Sequence, residues 1–388
     1  MTSATRTHDG KPIYLDYNAT TPVDPAVLEA MAPYLAEHFG NPSSAHVFGQ
    51  RAHEAVDAAR REVAELMGAD PQEIIFTSGG SEASNHALKG SFFAKHTANF
   101  GHAHLVTSAV EHPATLQPCA FLERLGCRVT IVPVDRHGRI DPEAVSRALN
   151  SDTVVVSIMH ANNEVGTLQP IREIAELAHA RGALVHTDAA QSVGKIPVDV
   201  RELGVDLLSL AGHKVYAPKG VGALYVRRDV RLECLIHGAG HEDGRRAGTE
   251  NVPYIVGLGV ACRIARKSLP AATSKLKRLR DRLWTRLRDG LGDRIVLNGH
   301  PEQRLPNTLN VNFLGHIGAE LLQRAPEVAA STGSACHEGS VSLSPVLKAM
   351  GVPPDQGRGA VRLSVGRFTT DEEVDRAAEA LCRAARAG

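Results

Sequence analysis

Short apolar runs alternate with stretches of helical periodicity over most of the 388-residue chain. Several runs are rich in valine, isoleucine and leucine on both faces, which is typical of parallel strands buried between layers of helices. The pattern therefore predicts an α/β fold, with a mostly parallel sheet covered by helices. The seven candidate strands are residues 73–79, 104–110, 128–134, 153–160, 183–189, 206–212 and 222–228.

Helix signals divide the chain into two predicted domains. Asp24 and Pro25 suit the N-cap and first turn of a helix, and residues 172–182 read as a helix that closes with a glycine. A charged helix near residues 271–290 is predicted to bridge into a C-terminal domain. We therefore predict a large domain over 14–265 and a smaller α+β domain over 266–388, on which residues 1–13 pack.

Composition excludes several classes of protein. Lysine plus arginine equals aspartate plus glutamate at 43 each, so no electrostatic footprint for nucleic acid is present. We expect no membrane segment, because no stretch is long and apolar enough, and no signal peptide, because the first residues are polar. The six cysteines include no CxxC pair, which favours free thiols in a reducing cytoplasm.

Polar residues follow the predicted strands, beyond the carboxyl ends where open α/β sheets bind ligands. They comprise a helix start, two histidines, two amides, an aspartate and a lysine, and we expect them at one edge of the sheet. The residues are Gly80, Ser81, His112, Asn163, Asp188, Gln191, His213 and Lys214.

Pyridoxal 5′-phosphate (PLP) is a ligand that would use all of these groups. Free N–H groups at the helix start near Ser81 can hold its phosphate. Asp188 can pair with the protonated pyridine nitrogen, and Lys214 can form the Schiff base. His112 can stack on the ring, while the amides can bond the phenolic oxygen. Each signal is weak alone, since an aspartate at a strand end is more often a cap, so their shared position carries the hypothesis.

Cys336 differs from the other cysteines in its surroundings. It lies among small and polar residues in STGSACHEGS (331–340), whereas the other five lie in apolar or helical stretches. An exposed thiol on a mobile loop is a candidate nucleophile. No metal site is expected, because the glycines of His237-Gly-Ala-Gly-His241 oppose the helix that a zinc pair needs.

Taken together, these motifs resemble the cysteine desulfurases of the class V aminotransferase group, of the type serving iron–sulfur cluster assembly and nitrogen fixation. The resemblance covers nearly the whole chain and implies PLP-transferase fold type I, with a homodimer whose active site lies at the subunit interface. The matching segments are residues 14–25, 40–44, 74–85, 111–112, 157–166, 186–195, 211–225, 240–253, 331–339 and 361–370.

The resemblance also implies a role for each site residue. It places the cofactor Schiff base on Lys214, the persulfide on Cys336, and a thiol acceptor protein after it. Asp188 pairs with the ring nitrogen and His112 stacks on the ring. The remaining implied roles are ring or substrate binding by Asn163 and Gln191, phosphate binding by Gly80, Ser81, His213 and the partner-donated Thr249, and substrate-carboxylate binding by Arg362 with Asn41 nearby.

The chain departs from the family pattern at three points. Ala211 replaces the usual serine or threonine two residues before His213, which removes one phosphate hydroxyl. Ser81 replaces the threonine of the usual helix-opening turn and keeps its hydroxyl. The sequence ends soon after Arg386, without the tail that helps some relatives dock a cluster scaffold, so the sulfur acceptor stays open.

Three other functions remain open from the sequence. Selenocysteine lyases share the fold and the cofactor lysine, and segments such as RLPNT (304–308) read like theirs. An aminotransferase or a β-lyase without a persulfide would need everything except Cys336. A non-enzymatic sulfur-binding protein is disfavoured, because Lys214, Asp188, His112 and Cys336 are all present. Cysteine desulfurase is the preferred hypothesis.

Overall fold

The structure of the chain is a computed structural model. It describes residues 11–95, 102–332, 336–337, 340–341 and 343–387. No helix in these ranges is long and apolar enough to cross a membrane.

The described residues form fifteen strands, most of them short. They are β1 (Ile13–Tyr14), β2 (Ile74–Thr77), β3 (His104–Ser108), β4 (Arg128–Val132), β5 (Thr153–Ser157), β6 (Leu184–Asp188), β7 (Leu207–Ala211), β8 (Gly222–Val226), β9 (Ile295–Asn298), β10 (Thr308–Phe313), β11 (Val328–Ala329), β12 (Ser331–Thr332), β13 (Cys336–His337), β14 (Ser340–Val341) and β15 (Ala360–Ser364).

The same part of the chain contains twelve α-helices. They are α1 (Pro25–Ala36), α2 (Val47–Met67), α3 (Gly80–Lys95), α4 (Pro113–Arg124), α5 (Pro142–Ala148), α6 (Ile171–His179), α7 (Val200–Leu203), α8 (Val252–Leu291), α9 (Gly318–Gln323), α10 (Pro345–Ala349), α11 (Pro354–Gly357) and α12 (Asp371–Arg386).

All seven predicted strands lie in one sheet, in the order β2-β8-β7-β6-β5-β3-β4. The pairs among β7, β6, β5, β3 and β4 are parallel, and β8 runs antiparallel to both of its neighbours. Strands β2, β3, β5, β7 and β8 are buried along their whole length, as their apolar residues on both faces predict. The predicted mostly parallel α/β sheet is confirmed.

A smaller antiparallel sheet forms from the C-terminal third, in the order β12-β15-β10-β9. The N-terminal strand β1 pairs in parallel with β11 beside it. Ile13 and Leu15 belong to the apolar core of this region, together with residues of α8 and α12. Asp16 bridges to Ser364, so the N-terminal segment runs from this core towards the large sheet.

Helix α8 passes through both regions. It is 40 residues long and begins after Asn251, whose side chain accepts from the N–H of Tyr254, so the prediction of residues 271–290 found only its second half. Pro270 lies inside the helix without ending it. The core around the large sheet includes α8 residues up to Ala265, and the second core takes them from Leu276 onwards. The division after residue 265 stays a prediction that this packing supports.

Two predicted helix ends are present as expected. The Asp24 carboxylate accepts from the N–H of Ala26 at 2.9 Å, and Pro25 is the first residue of α1. Helix α6 is followed by Gly182, whose φ of +73° is readily adopted only by glycine. The parallel pairing of β7, β6, β5, β3 and β4 places the carboxyl ends of these strands along one edge of the sheet.

Candidate active site

A cavity of about 370 Å³ lies at the carboxyl ends of the parallel strands. It is bounded by residues following β5, β6 and β7, by the starts of α3 and α4, by β15, and by the N-terminal segment. Its lining includes all eight residues predicted at the strand ends. These are Gly80, Ser81, His112, Asn163, Asp188, Gln191, His213 and Lys214, joined by Asn18, Ala19, Ala114, Met159, Ala161, Ala190, Ala211 and Arg362.

One end of the cavity is the N-terminus of α3, at Gly80 and Ser81. The first N–H groups of a helix have no carbonyl partner within the helix, and the helix dipole makes this end attractive to anions. Ala211 lies against it: a Cβ built on Gly80 would be 3.2 Å from the Cβ of Ala211. Across this end the His213 ring bonds the Thr20 hydroxyl at 3.2 Å. The geometry suits a phosphate group.

Asp188 ends β6, and its side chain is buried in the floor of the cavity. One carboxylate oxygen accepts from the N–H of Ala190 at 2.9 Å. Burial raises the pKa of Asp188, while that hydrogen bond and, through space, His112 and Lys214 oppose the rise. A buried carboxylate with this single hydrogen bond is a suitable partner for a protonated ring nitrogen.

Lys214 ends a short 3₁₀-helix, Gly212–Lys214, directly after β7. Its Nζ donates to the carbonyl of Asn18 and, at 2.8 Å, to the carbonyl of Ala19. Burial and Arg362 lower the pKa of Lys214 to about 8, against the opposing effect of Asp188 and Asp16. Roughly a tenth of this amine is therefore neutral, and nucleophilic, at pH 7, where an ordinary lysine is almost wholly protonated.

His112 is the N-cap of α4, and this contact fixes its ring. The Nδ1 atom accepts from the N–H of Ala114 at 3.1 Å, so Nδ1 carries no proton in this arrangement. Partial desolvation lowers the pKa of His112, an effect opposed by Asp188 and reinforced by Lys214. The cavity therefore contains a neutral, oriented imidazole at the position that the sequence predicts for ring stacking.

Arg362 lies in β15 at the opposite wall and is 9 % exposed. Its Nη2 bonds the Asp16 carboxylate at 2.7 Å, and its Nη1 donates to the carbonyl of Asn163 at 3.1 Å. The buried Nε has no hydrogen-bond partner in the described structure. A guanidinium has five N–H groups, so three of those on Arg362 have no partner within the described residues.

The sequence missed three residues that support the site: Asp16, Asn18 and Lys195. The Asn18 carbonyl receives hydrogen bonds from both Gln191 and Lys214, and the Lys195 Nζ donates to the Gln191 Oε1 at 2.7 Å. Two signals could have found them. Asp16 and Asn18 lie in the YLDYNATTP segment, and Lys195 follows Gln191 by four residues at the end of HTDAAQSVGK.

Two predicted site residues lie elsewhere within this chain. Asn41 is exposed between α1 and α2, where its side chain accepts from the N–H of Ser43. Thr249 lines a second cavity of about 190 Å³, next to Arg246 and Asn251. Both assignments stay predictions.

The predicted nucleophile and its surroundings fall largely outside the described residues. The backbone of Cys336 is in β13, which pairs with β14, but its side chain is outside them, as are the adjacent residues 333–335 and 338–339. The predicted mobility of this loop is therefore untested. Among the described residues, no group of three or more histidine, cysteine or acidic side chains is arranged to hold a metal ion.

Comparison with known proteins identifies the class to which this fold and site belong. The aminotransferase class-V family model matches residues 13–377, so the chain belongs to that family. Its fold is therefore the type I fold of PLP-dependent transferases, as the sequence motifs predict.

Individual members of the family are similar to this chain over almost its whole length. The chain is 49% identical over 372 residues to the cysteine desulfurase IscS of Klebsiella pneumoniae (strain 342), covering 94% of this chain and 90% of that protein. It is equally similar to IscS of Pectobacterium carotovorum. Among solved structures, a NifS-like protein superposes with a TM-score of 0.89 at 38% identity, over 96% of this chain and 98% of that one. A structure described as SspA in complex with cysteine gives 0.81 at 38% identity, over 92% and 99%.

Proposed function

We propose that this chain is a PLP-dependent cysteine desulfurase, which converts L-cysteine to L-alanine and passes the sulfur to its own Cys336. The observation that carries the proposal is the convergence of Lys214, Asp188 and His112 on one cavity that ends at a helix N-terminus. The relatives named cysteine desulfurase favour this function over the selenocysteine lyase alternative.

The residues present fit the cofactor. The buried Asp188 suits the pyridine nitrogen, the start of α3 suits the phosphate, and Lys214 lines the same cavity. The cofactor, when bound, supplies an electron sink for the charge that develops at the substrate Cα. Asp188 keeps that sink effective by remaining ionised beside the ring nitrogen.

Lys214 is proposed to hold the cofactor and then to move a proton. Its pKa of about 8 provides a neutral amine for attack on the aldehyde carbon. When not bonded to the cofactor, its Nζ would be in the cavity to take the proton from the substrate Cα. The neutral imidazole of His112 orients the ring by stacking.

Arg362 is proposed to bind the substrate carboxylate. Its position on the wall of the cavity and its free N–H groups permit a two-point contact, which a planar guanidinium makes well. The Asn163 carbonyl holds one side of the guanidinium at 3.1 Å and Asp16 holds the other at 2.7 Å, so the clamp is oriented before substrate arrives.

Cys336 is proposed to attack the substrate sulfur as a thiolate. A sulfur–sulfur bond forms, the carbon–sulfur bond breaks, and the carbon takes the electron pair and a proton to give alanine. Four other cysteines are buried, and burial raises the pKa of Cys119 to about 12 and that of Cys127 to about 11. Such thiols are poor nucleophiles, which leaves Cys336 and the half-buried Cys234 as the candidates.

A homodimer and a sulfur-acceptor protein complete the proposal. Thr249 lies outside the cavity of its own chain, as a residue donated to a partner subunit would. On a different part of the chain, at the surface of α1 and α2, Phe39, Val47 and Phe48 are 71%, 70% and 52% exposed, and the two phenylalanine rings stack at 5.7 Å. Apolar side chains this exposed suit burial against a second copy of the chain. The five cysteines whose side chains the structure describes are free, in keeping with a reducing cytoplasm.

The deciding experiment compares alanine release from L-cysteine and from L-selenocysteine, with wild-type protein and with Cys336→Ser. The proposal expects turnover of L-cysteine by wild type and its near-complete loss in Cys336→Ser. Undiminished alanine formation by Cys336→Ser would instead favour a β-lyase without a persulfide. Turnover of selenocysteine alone would favour a selenocysteine lyase.

A further inference from the structure

Lys195 is a buried lysine beneath the active-site cavity. It is 7 % exposed, four residues after Gln191 in the turns that follow β6. Its Nζ donates to the Gln191 Oε1 at 2.7 Å and to the Asn18 Oδ1 at 3.2 Å. Lysine is rarely buried without a compensating partner, because removing its charge from water is costly. A buried lysine whose bonds go to two amides therefore requires an explanation.

Backbone carbonyls determine which way the two amides point. The Asn18 Nδ2 faces the carbonyl of Asn163 at 3.2 Å, and the Gln191 Nε2 faces the carbonyl of Asn18 at 2.9 Å. A carbonyl can only accept, so both contacts must be made by the amide nitrogens. Both amide oxygens must then face Lys195, which serves both as a donor.

The charges around Lys195 favour its neutral form. Burial lowers its pKa well below the ordinary value, and the nearby cations Lys214 and Arg362 lower it further. A neutral amine has two N–H groups, and Lys195 has two acceptors, so its donors are matched without a second positive charge beside Lys214.

This arrangement decides what Gln191 offers to the cavity. Gln191 lines the cavity, its oxygen is occupied by Lys195, and one N–H of its nitrogen is occupied by Asn18. The second N–H of the same nitrogen remains. With its oxygen turned towards Lys195, Gln191 offers a ligand this second N–H, a hydrogen-bond donor that suits an anionic oxygen.

We propose that Lys195 is a positioning residue of the cofactor site, whose buried amine holds Gln191 with its nitrogen towards the cavity and thereby makes it a dedicated donor to the ring oxygen of the cofactor. The inference rests on the proposed function in that the ligand is taken to be PLP. Lys195 also bonds Asn18, whose backbone carbonyl accepts from Lys214, so Gln191 and the cofactor lysine both contact Asn18.

The test uses Lys195→Met, which keeps the volume and removes the donor. The matched control is Lys275→Met, a half-buried lysine on α8 that donates to the carbonyl of Arg367, away from Gln191. Two readouts apply: the dissociation constant of PLP from cofactor-free protein, and the pH midpoint of the visible absorption band of the loaded protein. One hydrogen bond to an ionised oxygen corresponds to about tenfold in affinity and about one pH unit.

We expect Lys195→Met to bind PLP about tenfold more weakly and to raise the pH midpoint by about one unit, with Lys275→Met unchanged. Gln191→Leu should show the same two changes, and Lys195→Met/Gln191→Leu no more than Gln191→Leu alone, since Lys195 acts through Gln191. Unchanged values in Lys195→Met, or additive effects in the double variant, overturn the inference.

Two further comparisons keep the test decisive. If Lys195→Met does not fold, Lys195→Gln retains an N–H donor and should shift the midpoint less than Gln191→Leu does; an equal shift overturns the inference. Wild-type protein that binds no PLP contradicts the proposed function itself. Wild-type protein that binds PLP and releases alanine, beside a Lys195→Met protein that is indistinguishable from it, contradicts only the role of Lys195.

Discussion

The two walls of the active-site cavity are built differently. On the strand-end wall, the hydrogen bonds of Asp188 and Lys214 go to backbone atoms, namely the N–H of Ala190 and the carbonyls of Asn18 and Ala19. On the opposite wall, Arg362 is ion-paired with Asp16, and Asp16 in turn accepts from the Ser331 hydroxyl at 2.8 Å.

This difference determines whether a ligand that binds to each wall must break an existing ion pair. Among the described residues, the hydrogen bonds of the Asp188 and Lys214 side chains go to backbone atoms alone, so a cofactor can bind them without breaking an ion pair with those residues. Arg362 is already neutralised by Asp16, so a substrate carboxylate must use its remaining N–H groups or compete with Asp16. The strand-end wall is thus prepared for a tightly held cofactor, and the arginine wall for a substrate that enters and leaves.

The largest effect is expected on the strand-end wall. Lys214→Ala removes the amine that forms the Schiff base, so the purified protein should lose its yellow colour and its borohydride-reducible cofactor. Activity with L-cysteine should fall by more than about a thousandfold. Lys219→Ala, an exposed lysine five residues away, is the control and should remain yellow and active. Reducible cofactor retained by Lys214→Ala would remove this assignment.

The arginine wall should show a smaller effect, confined to substrate. Arg362→Lys keeps the charge but loses the planar fork, so kcat/KM for L-cysteine should fall about a hundredfold while PLP binding is retained. Steady-state kinetics and a PLP titration separate the two readouts. Arg358→Lys, at an exposed position just before β15, should behave as wild type. Weaker PLP binding by Arg362→Lys, with an unchanged KM for L-cysteine, would contradict this assignment, because Arg362 would then contact the cofactor and not the substrate.

The pH behaviour of Lys214 links the walls, because groups on both sides act on it. In cofactor-free protein, the reaction of its amine with a small aldehyde should have a midpoint near pH 8 and not near 10.5. Arg362 lowers this pKa, so Arg362→Met should move the midpoint upwards. Asp188 raises it, so Asp188→Asn should move the midpoint downwards. Shifts of the same sign in both variants would contradict the electrostatic account.

The smallest effect concerns the phosphate end. Ala211→Ser restores a hydroxyl beside Gly80, where the Ala211 side chain already touches the start of α3. One added hydrogen bond should tighten PLP binding by about two- to tenfold, measured on cofactor-free protein. Unchanged or weaker binding would show that this hydroxyl cannot reach the phosphate here.

Sequence analysis identified the residues of the strand-end wall, but it missed the residues that support Arg362 and the opposite wall. Periodicity located all seven strands, and the carboxyl ends of parallel strands share one edge, so His112, Asp188 and Lys214 could be brought together from position alone. The strand pattern could not place Asp16 and Asn18 there, because they reach the cavity through long-range pairing of the N-terminal segment with β15.

The first half of α8 was missed for a local reason. Pro270 and the glycines at 257 and 259 disfavour a helix, yet the glycines allow close packing: a Cβ on Gly257 would meet Met31 at 2.7 Å, and one on Gly259 would meet Ala59 at 2.6 Å. Tertiary packing against α1 and α2 outweighs the local propensity. A pattern read along the sequence cannot contain that information.

The most direct test of the central claim is mass spectrometry of the protein after brief exposure to L-cysteine without reductant. The account predicts one additional sulfur atom on Cys336, its loss on treatment with a thiol, and alanine released in step with it. A sulfur adduct confined to Cys119, Cys127, Cys234, Cys262 or Cys382, with Cys336 unmodified, would contradict the proposed function.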